Sequence, residues 1–261
     1  MNFKMIELEK KLLDQIIFLK EEFGLQAIKA EFETEGSSFR DLMRLRRITD
    51  KVNVPLYLKI GGVEALRDIK DSLELGVDGL IAPMVESRFG LKKFIDAVNS
   101  IYKNNKVHRS INIETENAVA NLESIFEECV NSGLDNVTIG RTDLSSSYFN
   151  TQITADSDFV FNLLLELGNK IASTGMTMTL GGSLRKQSIE QFNKRADRWH
   201  GLIRYFETRK VILPTEIMLE NKKSITEAHR FEEIYILAKK EIGDLFMESE
   251  NARLEELKRR S

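Results

Sequence analysis

Two carboxylates, Glu114 and Asp143, are the residues of this chain whose type and spacing point most directly to chemistry. Each follows a short β-rich run, and each is followed at once by a stretch with the pattern of a helix. Because the carboxyl ends of neighbouring parallel strands meet at one rim, we expect both side chains to face the same mouth. Carboxylate oxygens bind hard divalent cations, which also keep waters that a substrate can displace. The sequence therefore predicts a metal-dependent enzyme, although acidic residues at strand ends can also serve only as charges at helix N-termini.

Polar residues close to this pair are candidates for substrate binding. Asn112 lies two residues before Glu114, so on a strand the two side chains point the same way and Asn112 can hold a ligand oxygen. The run Leu144–Ser147 follows Asp143, and a serine run that opens a helix offers hydroxyls and free backbone N–H groups to an anion. These features favour a small carboxylate as the substrate.

The elements that must position these residues alternate along the chain. Apolar residues recur at helical spacing from residue 5 to 23 and stop at Gly24, which predicts an N-terminal helix. Seven short apolar runs then alternate with amphipathic stretches, and this alternation favours a parallel sheet. The predicted strands are Leu25–Phe32, Pro55–Ile60, Gly79–Val85, Ser110–Ile113, Asn136–Ile139, Met176–Leu180 and Leu202–Phe206.

Polar residues end five of these runs at nearly constant intervals. Glu33, Lys59, Glu86, Glu114 and Asp143 are separated by 26, 27, 28 and 29 residues. One βα unit occupies about 30 residues, so each interval fits a single unit. All five side chains are therefore predicted to reach the C-terminal rim of one barrel.

The fold class predicted is α/β, a barrel of the TIM (β/α)8 type. We expect one domain over residues 1–261, with an N-terminal helix (1–24), the barrel (25–213) and an extended C-terminal tail of one or two helices (214–261). The eighth strand is not identified, because Lys210–Leu213 lies too near Leu202–Phe206 for a crossover helix between parallel neighbours. The tail is longer than a barrel needs, so its end is expected either to pack on a second subunit or to be a frayed, solvated helix.

Composition narrows the class of protein. The chain has 261 residues, 42% of them hydrophobic and 30% charged, which suits a folded barrel rather than a disordered protein. A net charge of −3 argues against a nucleic-acid partner. No stretch reaches the roughly 18 apolar residues of a membrane-spanning helix. Cys129 is the single cysteine, which rules out an internal disulfide and favours a cytoplasmic protein.

Three motifs resemble those of a known family. Ile113–Ala118 reads IETENA, Val137–Ser145 reads VTIGRTDLS and Ala82–Glu86 reads APMVE. Together they resemble the paired signature of the HpcH/HpaI aldolase and citrate lyase β-subunit family over roughly residues 25 to 184. The resemblance implies a modified TIM barrel that binds Mg²⁺ or Mn²⁺ through Glu114 and Asp143. It also implies that the protein makes or breaks a carbon–carbon bond beside a carbonyl, and that it forms a homo-oligomer, a trimer or hexamer.

Two departures from the family bear on catalysis. Aldolases of the family carry an arginine where this chain has Lys59, so we expect Lys59 to stabilise the substrate oxyanion as a point charge rather than as a bidentate fork. They also carry a histidine after an acidic pair, where this chain has Glu31 and Glu33. The proton carrier is then a carboxylate, Lys59 or metal-bound water. Glu33 is favoured, with Glu31 and Glu207 as the alternatives.

The three histidines are predicted to lie away from the rim. His108 and His200 precede strands and His229 falls in the terminal helix. Glu207 and Arg209 stand at the end of the last predicted strand, where they either bind substrate or form a mutual surface salt bridge. The residues predicted to bind substrate are Asn112, Arg141, Thr142, Ser145 and Glu207.

The reaction implied by the resemblance is a metal-dependent lyase or aldolase reaction of a 2-oxo acid, through a pyruvate-like enolate that the metal stabilises. Two alternatives stay open. One is an enzyme like citrate lyase or malyl-CoA lyase that acts on an acyl thioester. The other is a barrel that has lost catalysis and serves as a binding or scaffold protein, which the missing histidine and arginine would explain.

Overall fold

A closed barrel of eight strands forms the centre of the protein. The structure is a computed structural model, and it describes residues 6–129 and 132–260. The strands follow one another around the barrel in chain order. They are β1 (Ala27–Glu31), β2 (Leu56–Lys59), β3 (Gly79–Ala82), β4 (His108–Ile113), β5 (Asn136–Gly140), β6 (Thr177–Gly181), β7 (Tyr205–Glu207) and β8 (Val211–Pro214). The predicted modified TIM barrel is confirmed.

Helices surround the barrel and extend from it. Those before and between the first strands are α1 (Glu7–Phe23), α2 (Phe39–Lys51), α3 (Leu66–Leu75), α4 (Arg88–Tyr102), α5 (Glu116–Ala120) and α6 (Leu122–Cys129). Those that follow are α7 (Arg141–Ser147), α8 (Asp158–Ser173), α9 (Lys186–Asn193), α10 (Ala196–Trp199), α11 (Thr215–Glu220) and α12 (Ser224–Arg260). The N-terminal helix, predicted from residue 5, begins at Glu7 after Ile6 in an extended conformation, and residue 5 lies outside the described part.

β8 is the strand that the sequence did not identify. Strands β1 to β7 pair in parallel, whereas β8 is antiparallel to both β7 and β1. The backbone N–H of Thr208 donates to the carbonyl of Val211 at 2.9 Å, which closes a tight turn over Arg209 and Lys210. Because antiparallel neighbours need only a short hairpin, the chain closes the barrel without a crossover helix.

The two faces of the strands differ in chemistry. In β4, Ile111 and Ile113 belong to the apolar core between strands and helices, whereas Ser110 and Asn112 point into the barrel and line cavities there. A lower cavity of about 280 Å³ holds a network in which the Asn136 amide donates to the Ser110 hydroxyl at 2.8 Å. The barrel interior is therefore polar, and the apolar core lies outside it.

The first part of α12 packs against the rest of the protein, and its last part extends into solvent. Its first turns pack on α1, where Gln15 donates to the Glu227 carboxylate at 3.0 Å, and its buried residues include Phe231 and Tyr235. The Lys210 ammonium lies 4.0 Å from the Tyr235 ring centroid, which ties α12 to the β7–β8 turn. Residues 243–260 of α12 are exposed throughout. No helix in the described part of the chain is long and apolar enough to cross a membrane.

Candidate active site

A cavity of about 620 Å³ opens at the C-terminal ends of the strands. This is the end at which TIM barrels carry their active sites. The strand spacing predicted such a convergence because each βα unit returns the chain to the same rim. The predicted residues that line this upper cavity are Glu31, Glu33, Lys59, Asn112, Glu114, Thr142, Asp143 and Glu207.

Glu114 is held at the wall of this upper cavity with both carboxylate oxygens engaged. One oxygen accepts the Met84 backbone N–H at 3.0 Å and the other accepts the Asn112 amide at 3.0 Å. Met84 has a φ of 52°, an uncommon left-handed conformation for a residue with a side chain. Burial raises the pKa of Glu114 above its usual value, and the nearby Lys59 ammonium opposes this rise only in part.

Asp143 reaches the same cavity from the first turn of α7. Its negative charge also raises the pKa of Glu114, so the two carboxylates act on each other across the cavity. The Asn112 amide oxygen is buried and has no hydrogen-bond partner. Two carboxylates and a free amide oxygen are a donor set that fits a hard divalent cation.

This donor set is small. Among residues 6–129 and 132–260, no group of three or more His, Cys, Asp or Glu side chains could hold a metal. A cation held by Glu114 and Asp143 would therefore complete its shell with waters or substrate oxygens, as Mg²⁺ commonly does.

Gly140, the last residue of β5, makes room for Glu114. A Cβ built at this position would come within 2.5 Å of a Glu114 carboxylate oxygen. Real Cβ atoms do not approach so closely, so any larger residue would displace the carboxylate. The glycine of the sequence motif at residues 137–145 is thus a packing requirement of the site.

Four charged side chains lie at the floor of the upper cavity, and acidic and basic residues alternate among them. The Lys29 ammonium lies 2.7 Å from one Glu207 oxygen and 3.7 Å from one Glu31 oxygen. The Lys59 ammonium lies 3.4 Å from the other Glu31 oxygen. Burial alone would raise the pKa of Glu31, but the two ammonium groups outweigh it and lower the pKa.

Arg141 and Ser145 do not line the upper cavity, contrary to the prediction that they bind substrate. The Arg141 side chain is fully buried, and its guanidinium donates to Asp156 at 2.6 Å and to the Gly182 carbonyl at 2.7 Å. The Ser145 hydroxyl donates to the Thr142 carbonyl within α7 at 3.0 Å. Both side chains are committed to the protein itself, and we do not retain them as substrate ligands.

His229 lines the upper cavity, so the prediction that it lies away from the rim is wrong. It stands on α12 three residues before Glu232, which also lines this cavity. Spacing along the sequence could not reveal this, because the packing of α12 against the barrel decides it. His108 begins β4 at the opposite end of the barrel, and His200 ends the short helix α10.

The mutual salt bridge considered for Glu207 and Arg209 does not form. Glu207 pairs with Lys29, and Arg209 pairs with Glu232 at 3.8 Å. Glu86, the remaining member of the spaced rim series, does not line the upper cavity. Its backbone carbonyl accepts the Asn121 amide at 3.0 Å.

Lys29 is the residue of this floor that sequence reasoning missed. It stands inside the first predicted strand, between Ile28 and Ala30, and reads there as a single polar residue in an apolar run. Its position two residues before Glu31 was the available signal, because alternation puts both side chains on the same face of the strand.

Comparison with protein families adds to this geometry. Residues 58–172 match the model of the HpcH/HpaI aldolase/citrate lyase family. The match confirms the resemblance. It spans Lys59, Glu114 and Asp143, three of the charged residues that line the upper cavity. No curated protein matches the chain.

Solved structures share the barrel fold of this chain. An HpcH/HpaI aldolase/citrate lyase family protein from Burkholderia cenocepacia has a TM-score of 0.59 and 14% identity, with 77% of this chain and 83% of that chain covered. RipC from Yersinia pestis has a TM-score of 0.53 and 15% identity, with 78% and 86% covered. A variant of the citrate synthase SbnG has a TM-score of 0.57 and 14% identity, with 90% of each chain covered. At such identities the likeness establishes the fold.

Proposed function

We propose that this protein is a divalent-metal-dependent carbon–carbon lyase or aldolase that acts on a 2-oxo acid. The observation that carries the proposal is the convergence of Glu114, Asp143 and Lys59 on one cavity at the C-terminal rim. The match to a family named for aldolases and citrate lyases supports the same reaction class. The volume of about 620 Å³ suits a pyruvate-like acid together with a small carbonyl compound.

Glu114 and Asp143 would hold Mg²⁺ or Mn²⁺, and the bound ion would stabilise the negative charge of a substrate enolate. The Met84 N–H and the Asn112 amide fix the orientation of the Glu114 carboxylate. Such supporting contacts tune both the affinity and the geometry of metal sites. The cation would also offset the cost of burying the Glu114 charge.

Lys59 supplies a positive charge for the substrate oxyanion. Its side chain is 18% exposed and faces the cavity, while its ion pair with Glu31 fixes the ammonium. The hydroxyl of Thr142 lies 2.9 Å from that of Ser183 in the cavity wall, where both can bind a substrate carboxylate. Preorganised charges and dipoles of this kind stabilise charge that develops in a transition state.

Glu33 is the proton carrier that we propose. It is exposed at the mouth of the cavity, and no ion pair holds its carboxylate among the described residues. Glu31 suits this role less, because two ammonium groups stabilise its ionised form. His229 faces the same cavity and is the second candidate, since imidazole commonly transfers protons at neutral pH.

An acyl thioester is the alternative substrate, because the matching family also includes citrate lyases. The phosphates of a CoA carrier would need cationic side chains at the mouth. Arg209 lies there, but it is paired with Glu232, and the other basic residues of the wall, Lys29 and Lys59, pair with acids at the floor. The charge distribution therefore favours a free 2-oxo acid.

Proton exchange at the methyl group of pyruvate tests the proposal. In D₂O with Mn²⁺, the wild-type protein should exchange these protons, as followed by ¹H NMR, and a chelator should abolish the exchange. Glu114→Gln and Asp143→Asn should each lower the exchange rate about 10²-fold or more. Both should also weaken Mn²⁺ binding measured by electron paramagnetic resonance.

Glu86→Gln is the matched control, because this neighbouring carboxylate does not line the upper cavity. It should leave exchange and Mn²⁺ binding unchanged. If the wild type and the Glu114→Gln and Asp143→Asn variants bind Mn²⁺ equally and none exchanges pyruvate protons, the protein is a scaffold and the lyase proposal is wrong.

A further inference from the structure

Lys29 is a buried lysine that the proposed reaction does not use directly. It is the third residue of β1, and only 6% of its surface is exposed. Its side chain points into the barrel and reaches the floor of the upper cavity. A lysine is almost never buried in this way unless its charge is paired.

Two carboxylates, those of Glu207 and Glu31, pair with Lys29 from different sides. Glu207 borders both the upper and the lower cavity, and its carboxylate accepts a 2.7 Å hydrogen bond from the Lys29 ammonium. Glu31 lies 3.7 Å away on the other side. Burial alone would lower the pKa of Lys29, but these two carboxylates outweigh it and raise the pKa. Lys29 therefore stays charged between them.

Glu31 depends on its two ammonium neighbours more than an ordinary carboxylate does. It is 4% exposed, and the oxygen that faces Lys59 accepts no hydrogen bond. Lys29 holds one oxygen and Lys59 the other, at 3.7 and 3.4 Å. Without Lys29, the Glu31 charge would be buried next to Glu207 with only Lys59 to balance it, and like charges so placed cannot both persist.

We propose that Lys29 is a positioning residue of the site: it fixes the Glu31 carboxylate at the cavity floor and, through Glu31, holds the Lys59 ammonium where the substrate oxyanion forms. This role of Lys59 rests on the proposed function. Contacts from Glu207 on β7 lead through Lys29 and Glu31 on β1 to Lys59 on β2, so they join side chains of three strands.

A purely structural salt bridge would behave differently. Its removal as a complete pair leaves no buried charge uncompensated, and the site should then keep the activity of Glu207→Gln alone. A positioning role predicts that removal of the pair still displaces Glu31 and Lys59. The two roles are therefore separated by a variant that lacks both Lys29 and Glu207.

The decisive variant is Lys29→Met/Glu207→Gln, with Glu207→Gln alone to isolate the loss of Lys29. The double variant should fold, and its rate constant for pyruvate proton exchange should fall roughly 10- to 100-fold below that of Glu207→Gln, with little change in KM. Lys29→Arg, which keeps the positive charge, should retain more exchange than Lys29→Met. The control is Arg47→Met/Glu9→Gln, a pair at 2.9 Å between α2 and α1 that is remote from the cavity.

A second measurement does not require activity. The ¹⁵N resonance of the Lys59 ammonium, assigned with Lys59→Arg, should shift in Lys29→Met/Glu207→Gln and stay in place in the control. An unchanged Lys59 resonance, or exchange equal to that of Glu207→Gln, would overturn the positioning role. If the wild type does not exchange pyruvate protons, the proposed function fails and the Lys59 resonance alone decides whether Lys29 positions it.

Discussion

At the scale of single residues, the candidate site depends on side chains whose orientation is fixed by hydrogen bonds and packing from their neighbours. Glu114 illustrates this, because its two oxygens are oriented by Met84 and Asn112 and it lies against the bare Cα of Gly140. Each of these contacts constrains where a cation can be bound. The position of the Glu114 carboxylate therefore depends on these neighbours as well as on Glu114 itself.

Gly140→Ala should weaken Mn²⁺ binding roughly 10- to 100-fold, because the added methyl would displace the Glu114 carboxylate. Titration calorimetry would measure this. Gly62→Ala is the matched control, since a Cβ there meets no atom within 4 Å, and it should bind Mn²⁺ as the wild type does. Equal affinity in the two variants would show that Glu114 does not ligate the metal.

The sequence predicted much of this site and missed identifiable parts of it. Glu114, Asp143 and Lys59 were found because strand ends recur at the period of a βα unit. Lys29 was missed because it lies inside a strand, where the recurrence of strand ends gives no signal, and only its position two residues before Glu31 indicated it. Arg141 was assigned to substrate because a motif does not reveal whether a guanidinium faces a cavity or the carbonyls of neighbouring loops.

At the scale of elements, Arg141 joins the segments that follow β5 and β6. It stands at the start of α7 and donates to the Gly181 and Gly182 carbonyls and to the Ala155 carbonyl before α8. Asp143, in the first turn of α7, and Ser183, after β6, both line the upper cavity. Arg141 thus stabilises the wall without touching what the cavity binds.

Arg141→Met should lower the free energy of unfolding by about 3–5 kcal/mol, because it leaves the partly buried Asp156 and several carbonyls without their donor. Urea denaturation followed by circular dichroism would measure the change. Arg67→Met, at a side chain that is 91% exposed, should change the free energy of unfolding by less than about 0.5 kcal/mol. A similar small loss in both variants would contradict the structural role of Arg141.

At the scale of the whole molecule, α12 is longer than its packing against the barrel requires. Its residues 243–260 are exposed and include apolar side chains such as Phe246, Leu254 and Leu257. Apolar side chains exposed together on one helix are typical of a surface that another protein covers. We therefore expect a second copy of the chain to cover it in the trimer or hexamer that the family resemblance implies.

Truncation after Ile242 tests this expectation. Because the buried residues of α12 end at Ala238, the truncated barrel should unfold at nearly the same temperature as the full chain. Light scattering should then give the mass of a smaller assembly than the full chain forms. Equal masses would show that the exposed half of α12 does not hold subunits together.

The closing strand was beyond the reach of sequence for a reason that belongs to the whole barrel. β8 is four residues long, and its antiparallel direction follows from the need to bridge β7 and β1 after only a short turn. A local pattern shows that Val211–Leu213 is apolar but not which two strands it pairs with. Closure is a global property, and it appears only when all eight strands are arranged.

The hairpin between β7 and β8 also limits how this protein could acquire new specificity. Most sectors of the rim have a connecting loop that can lengthen by insertion, but here the connection is a two-residue turn held by hydrogen bonds between Thr208 and Val211. An insertion at that point would remove these hydrogen bonds between Thr208 and Val211. In this sector, new substrate contacts would therefore come from α12. Its His229 and Glu232 line the upper cavity and belong to no strand, so they can be replaced without a change in the barrel strands.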